Sequence, residues 1–274
     1  MAFLKNLSVS VGLVIIVLLF FTAIFANWMA PHDPIRIDLQ SKLMPPGGRF
    51  LCGTDALGRD ILSRIVFGSR VSTLIALSCV FIGALFGVTL GIISGFFGGR
   101  IDEFIMRTMD MILAFPSLIL AMAIAASLGP GISSAIYAVG FVQIPMYARI
   151  ARGSTLSVRE LNFVLASRSF GASSWRLIFV DILPNILSPI IVNATLGLGS
   201  AILTAAGLSF LGLGAQPPMP EWGQMIAEGR ANIVSGEWWV PTFPGLAIMA
   251  TVLSFNLVGD GLRDILDPRL RGRK

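Results

Sequence analysis

LASRSFGASSWRLIFVDILP, residues 165–184, is a polar, arginine-bearing stretch in an otherwise strongly apolar chain. It lies at the centre of about forty residues, 147–186, that carry five arginines between two long apolar runs. Residues 166–170, including Ala166, Ser167 and Phe170, can form a short helix, and Gly171 supplies the left-handed residue that ends it. Ser173 or Ser174 can cap a second helix that starts near Trp175, follows Ala172 closely in sequence, and continues to Ile182. Leu183-Pro184 is expected to stop it. The product is two short helices at an angle, with Phe170, Trp175 and Leu177 as apolar knobs for a groove on a partner. The competing reading is an amphipathic loop lying on a bilayer surface.

The rest of the chain decides the setting. Of 274 residues 55% are hydrophobic and only 13% charged, against about 25% charged in soluble domains. Six apolar runs, at residues 9–29, 71–97, 109–128, 132–148, 187–213 and 243–258, come near the ~20 residues that cross hydrocarbon. The expected fold is therefore an all-α membrane protein with six transmembrane helices. The first run exceeds the usual 7–15 residue core of a signal peptide and reads as a retained anchor. Residues 1–70 divide as an N-terminal transmembrane helix and extracytoplasmic loop, and 71–274 as the core. With the N-terminus inside, thirteen of the 20 Lys and Arg fall on the cytoplasmic side and seven outside, the bias expected for both termini in the cytoplasm. The net charge of +5 thus reflects topology rather than a nucleic-acid partner, and the other contact surface is membrane lipid.

Several chemistries are excluded by what the residues lack. Cys52 and Cys79 have no metal spacing, His32 has no companion ligand, and no metal site is expected. A P-loop needs Gly-Lys-Ser/Thr, whereas Lys5, Lys42 and Lys274 are the only lysines and none follows a glycine. Asp110, Arg149 and Asp260 stand at span ends, so no midplane charge couples a proton or sodium gradient. A polytopic enzyme would need a His, Cys or carboxylate cluster at a membrane face, and none is evident.

Gly83, Gly87, Gly91 and Gly95 recur every four residues in the second run, which lets another backbone come close. Internal packing is the leading explanation, with subunit contact the other. Pro116 and Pro145 free carbonyls within the third and fourth runs and predict kinks. In the first outer loop, Gly53-Thr54-Asp55-Ala56-Leu57-Gly58-Arg59-Asp60 can make a capped turn, with Gly58 at a tight bend. Asp60 can open a helix to about Arg70, and Asp60 and Arg64 are spaced to pair. A folded loop competes here with a docking surface for an external protein or partner subunit. In the second outer segment, residues 216–241, Trp222, Trp238 and Trp239 suit the water–lipid boundary, and Glu221, Glu228 and Glu237 make it mildly acidic.

The polar stretch also resembles a family. Type I ABC importer permeases carry Glu-Ala-Ala, three residues, Gly, nine residues and Ile-x-Leu-Pro. Gly171 to Leu183-Pro184 keeps that spacing, Leu165-Ala166-Ser167 takes the Glu-Ala-Ala positions, and Ile182 sits one place late. The GTDALGRD loop (Gly53, Thr54, Asp55, Gly58, Arg59, Asp60), the stretch Leu208 to Gly214 with Gln216-Pro217-Pro218, Pro244-Gly245, and Gly259 to Asp264 with Leu266-Asp267-Pro268 resemble the dipeptide, oligopeptide and nickel branch. Within it the chain looks like the second of two paired permeases.

The resemblance implies a type I permease fold in a bacterial inner membrane. It implies that Ala166, Ser167, Phe170, Gly171, Ala172, Ser173, Trp175, Leu183 and Pro184 form coupling helices for an ATPase. It further implies four companions: a second homologous permease, two ATPase subunits and an extracytoplasmic substrate-binding protein. ATP and Mg would be bound by the ATPase subunits and no cofactor by this chain, which would do no bond chemistry. Peptides are the implied solute, with a nickel chelate the alternative inside the branch. A secondary transporter or channel without ATPase partners is the alternative outside it.

Overall fold

The computed structural model describes residues 7–266. These residues hold helices, loops and one isolated bridge between Thr54 and Asp60. The chain begins with α1 Leu7–Ile24 and α2 Ala26–Met29, then a loop bearing a 3-10 turn at Leu39–Ser41. The central helices are α3 Ile61–Phe97, α4 Gly99–Leu113, α5 Ser117–Leu128 and α6 Ile132–Val158. A short α7 Asn162–Ser169 follows, then α8 Ser174–Arg176, a π-helical turn Leu177–Ile182 and α9 Leu183–Phe210. The last three are α10 Trp222–Gly229, α11 Asn232–Ser235 and α12 Trp239–Leu266.

Four helices among the described residues are long and apolar enough to cross a bilayer: Leu7–Ile24, Ile61–Phe97, the continuous Ser174–Phe210, and Trp239–Ile265. The expected third run is not a straight span. Its first half belongs to α4, which α5 leaves at 89°, with Pro116 as the N-cap of α5. α5 has 12 residues, roughly 18 Å of helix, short of the ~30 Å hydrocarbon core. α6 has 27 residues and the length to cross, but Ser133, Ser134, Gln143 and Tyr147 lower its hydropathy. It packs against α3, α5 and α9, which buries Ser134 and Tyr147 together with Ala148 and Ala151, while Ser133 is exposed. The count of six spans is therefore not reproduced by length and hydropathy. Neighbouring helices cover one face of α6 and leave Tyr137, Phe141 and Met146 exposed on the other, and a right-angle bend has divided the third run.

The four-residue glycine stripe of α3 faces α6. A Cβ on Gly83 would stand 2.8 Å from Gln143 Cβ, on Gly87 2.5 Å from the Ile144 carbonyl, on Gly91 2.7 Å from Ala151 Cβ, and on Gly95 2.9 Å from Thr155 Cβ. The stripe is an internal packing surface, and it brings two backbones into contact over three turns. Asp60 caps α3 by accepting from the Ser63 amide at 3.0 Å. The helix expected to end near Arg70 and the span expected to begin at Val71 are one element.

The bundle has two distinct ends. The GTDALGRD loop, the link at Gly129–Gly131 and residues 214–241 cluster at one, where the Gly131 amide donates to Leu213 O at 3.2 Å. The segment from Arg159 to Ile182 lies at the other, beside the C-terminal turns of α3. α1 runs along α12, with Gly12 against Ser254 and Leu257 and Val9 against Gly261. Both described chain ends thus lie at the same end as the arginine-bearing segment.

Candidate functional site

At that second end the sequence builds an elbow. α7 is anchored by Val164, which is buried, and Gly171 turns the chain with φ +81°. No other atom lies within 4 Å of where a Gly171 Cβ would stand. The Ser173 side chain accepts from the Arg176 amide at 3.4 Å and so caps the second arm. The tip is bare: Phe170 is 92% exposed and Trp175 72%. Trp175 stacks on Phe179 with ring centroids 5.4 Å apart. Leu177, Ile178 and Ile182 turn inward, the latter two onto Ile92, Ala151, Ile186 and Ile190. Leu177 is therefore root rather than knob, and Phe179 replaces it on the outer face. Ala166 and Gly171 are exposed, Ser167, Ala172 and Leu183 half-buried, and Pro184 exposed.

Pro184 does not stop the second arm. The turn before it widens to π geometry, and the Leu183 amide donates to Ile178 O, five residues back. A proline in a helix lacks an N–H and collides with the carbonyl four residues earlier. The π turn leaves room for that ring, and the Asn185 side chain donates to Asp181 O at 2.7 Å, satisfying a carbonyl. The elbow consequently continues into α9 with no loop between them.

Polar contacts tie α6 to α4 and α3 beside the elbow. Arg152 of α6 grips Asp102 of α4 with both Nε (2.5 Å) and Nη2 (2.6 Å), while Ser94 of α3 donates to the same carboxylate. Arg159, at the end of α6, donates to Gly95 O at 2.6 Å. Arg149 pairs with Asp110.

The GTDALGRD loop at the opposite end is mostly interior. Thr54, Asp55, Arg59 and Asp60 are each 5% exposed or less, and only Ala56 and Leu57 show. Gly58 has φ +74° and its missing Cβ makes room for the Asp38 backbone. Asp55 Oδ1 accepts from the amides of Leu57 and Arg59, and its Oδ2 accepts from Arg59 Nε at 2.6 Å. The Asp60–Arg64 pair does not form. Asp60 is occupied as the α3 cap, and Arg64 instead reaches Glu228 at 3.0 Å. Glu228 Oε2 also accepts from Arg59 Nη2 at 2.7 Å.

Trp222 and Trp239 are buried rather than interfacial. Their indole N–H groups donate to Ile65 O and Thr54 O, tying α10 to α3 and α12 to the loop. Trp238 alone of the three is exposed. Glu221 is buried at the start of α10. Burial pushes its carboxyl above the ordinary range, against the pull of the Gly223 and Gln224 amides and the Ser209 and Ser72 hydroxyls. Neither Glu221 nor Glu228 was distinguishable as a partner from sequence, because Glu228 is 169 and 164 residues from the arginines it joins. Cys52 and Cys79 are both free, and no group of three or more metal-ligating side chains exists among the described residues.

Long apolar helices, with an elbow of bare aromatics at one end and a folded cap at the other, define a membrane-spanning subunit. Sequence comparison gives its family. The model for "Binding-protein-dependent transport system inner membrane component" matches residues 87–272, and that for "N-terminal TM domain of oligopeptide transport permease C" matches residues 1–46. The chain is 51% identical to the "Probable D,D-dipeptide transport system permease protein DdpC" of Escherichia coli, covering 95% of this chain and 87% of that one. It is 49% identical to the "Di/tripeptide transport system permease protein DppC" of Pseudomonas aeruginosa, with 98% and 91% covered. It is 43% identical to the "Glutathione transport system permease protein GsiD" of Pectobacterium atrosepticum, with 97% and 88% covered. The fold matches a chain of the MetNI methionine ABC transporter in an inward-facing conformation. That match has a TM-score of 0.63 at 16% identity and covers 76% of this chain and 98% of that one. The chain belongs to the binding-protein-dependent transport system inner membrane component family. It is a multi-pass permease subunit of an ABC importer, a transport component rather than an enzyme.

Proposed function

We propose that this chain is one of two paired permeases in a bacterial inner-membrane importer of di- or oligopeptides. A second homologous permease completes the pathway, two ATPase subunits bind ATP and Mg, and an extracytoplasmic binding protein delivers the peptide. The chain itself binds no cofactor. The elbow end faces the cytoplasm with both termini, and the cap faces outward. The names of the relatives compared above support peptides over a nickel chelate.

The observation that carries the coupling role is the contrast within one short segment. Phe170 and Trp175 project bare from an elbow whose root, at Leu177, Ile178 and Ile182, is buried. Large exposed aromatics on a rigid base suit insertion into a partner's groove. The π turn passes directly into α9, so a push on the tip is delivered to a spanning helix without slack from a loop. Closure of the ATPase pair on ATP would draw two such elbows together and reorient the pathway between the sides. The test is a Phe170→Ala, Trp175→Ala double variant. It should insert and accumulate normally while losing co-purification of the ATPase and peptide uptake. Normal uptake by that variant removes the coupling role from the elbow tip.

A further inference from the structure

The bend between α4 and α5 leaves backbone groups without partners. The Leu113, Ala114 and Phe115 carbonyls and the Ser117, Leu118 and Ile119 amides make no hydrogen bond among the described residues. Residues 113–119 are all exposed. Pro116 is the N-cap of α5 and brings no side-chain acceptor to these amides. The bend also lies deep. Met109 and Ile112 pack with Ile144 and Ala148, and Ile144 stands midway along α6. That helix has 27 residues, roughly 40 Å, so its middle falls near the centre of a bilayer. Unbonded backbone is not tolerated against hydrocarbon; at such depth it is found only where protein covers it or water reaches it.

A second, independent feature marks the same face. Asp110 stands one turn before Ala114, and it pairs with Arg149 of α6 at 2.5 Å with 55% and 53% of the two side chains exposed. Arg149 is about 7.5 Å along α6 from Ile144, inside the ~15 Å half-thickness of the hydrocarbon core. Charge at that depth faces a bundle interior or a water-filled cavity. Met146, one turn from Arg149, is exposed beside it.

We infer that the α4–α5 bend and the Asp110–Arg149 pair line the water-filled path of the solute, on the stretch between mid-membrane and the elbow end. Water meets any arrangement of donors and acceptors, whereas a covering helix would have to match six fixed backbone groups with its own side chains. Exposed Met111, Phe115 and Ile119 set apolar patches between the polar groups. A mixed lining of this kind lets a solute enter and leave without holding it tightly. The inference rests on the paired-permease reading above, which sets a path beside this chain.

The test uses the complete importer in nanodiscs without nucleotide, with Cys52 and Cys79 of this chain replaced by alanine. A charged methanethiosulfonate is added, and its reaction is read from the mass of this chain. Ser117→Cys and Met146→Cys probe the path from exposed positions. Val14→Cys, exposed on α1, is the lipid-facing control. A thiol in apolar surroundings stays in its unreactive neutral form, so the two path positions should react at least about tenfold faster than the control. Reaction of Ser117→Cys and Met146→Cys at the rate of Val14→Cys overturns the inference. Reaction at Ser117→Cys in the solubilised chain alone, but not in the complete importer, also overturns it and gives the face to the second permease. Uptake of Ala-Ala by cells carrying the unaltered system separates the two claims. Uptake without labelling sinks this path alone, whereas labelling without uptake sinks the peptide reading and leaves the path standing.

Discussion

Replacing Gly87 by alanine should measurably loosen the protein, although it adds one methyl group. That methyl would arrive 2.5 Å from the Ile144 carbonyl oxygen, 2.6 Å from Tyr147 Cβ and 3.1 Å from the Ala148 amide. Ordinary van der Waals contact begins near 3.4 Å, so α3 and α6 must separate by roughly 0.9 Å at that turn. None of the three obstacles is the far end of a flexible side chain, and the same pair of helices is equally close at Gly91. Overpacking of this kind costs about 1–3 kcal/mol. At about 2–4 °C per kcal/mol for a chain of this order, the thermal midpoint of the detergent-solubilised subunit should fall by roughly 2–12 °C. Gly153 provides the internal control. It also lies in α6, but nothing stands within 4 Å of its would-be Cβ. Alanine there should be neutral or stabilising by up to about 1 kcal/mol through helix propensity alone. A Gly87→Ala protein that melts at or above the unaltered temperature, or one no less stable than Gly153→Ala, would refute the reasoning.

Four further outcomes are expected. Gly171→Val should leave membrane abundance unchanged yet depress uptake and peptide-stimulated ATP turnover, because a β-branched residue resists φ +81° while Asn accepts it; equal activity for Val and Asn would count against the elbow geometry. Glu228→Gln strips the shared anion from two buried guanidiniums and should destabilise by about 3–5 kcal/mol, seen as lost protein in membrane fractions. Glu103→Gln, which breaks an exposed pair, should cost under about 1 kcal/mol. In intact cells an impermeant thiol reagent should label Pro218→Cys and spare Phe170→Cys, both exposed positions; the opposite pattern reverses the proposed orientation.

The elbow was legible in the sequence because its determinants are local. A left-handed glycine at 171, a hydroxyl cap at 173 and flanking apolar residues act over a few bonds, and the structure reproduces that turn. Pro184 was misread for an instructive reason. A proline ends an α-helix by default, but widening the preceding turn to π geometry removes the clash, and that choice depends on how Ile178 and Ile182 pack against α3 and α6. The glycine stripe likewise announced a close helix contact without naming the partner.

What sequence alone determined was the class: apolar runs too numerous for a soluble chain, the elbow with its bare aromatics, and the absence of any nucleotide-binding loop or midplane charge. These are read from composition and short-range spacing, where each residue's physical preference is set by its nearest neighbours. Only the tertiary structure decided that α4 and α5 meet at a right angle, that α6 buries Ser134 and Tyr147 by packing among helices, and that Trp222 and Trp239 are interior braces. It alone joined Arg59 and Arg64 to Glu228. Pairing of buried charges is governed by proximity in space at low dielectric, and no spacing along the chain encodes which of several carboxylates will be brought there.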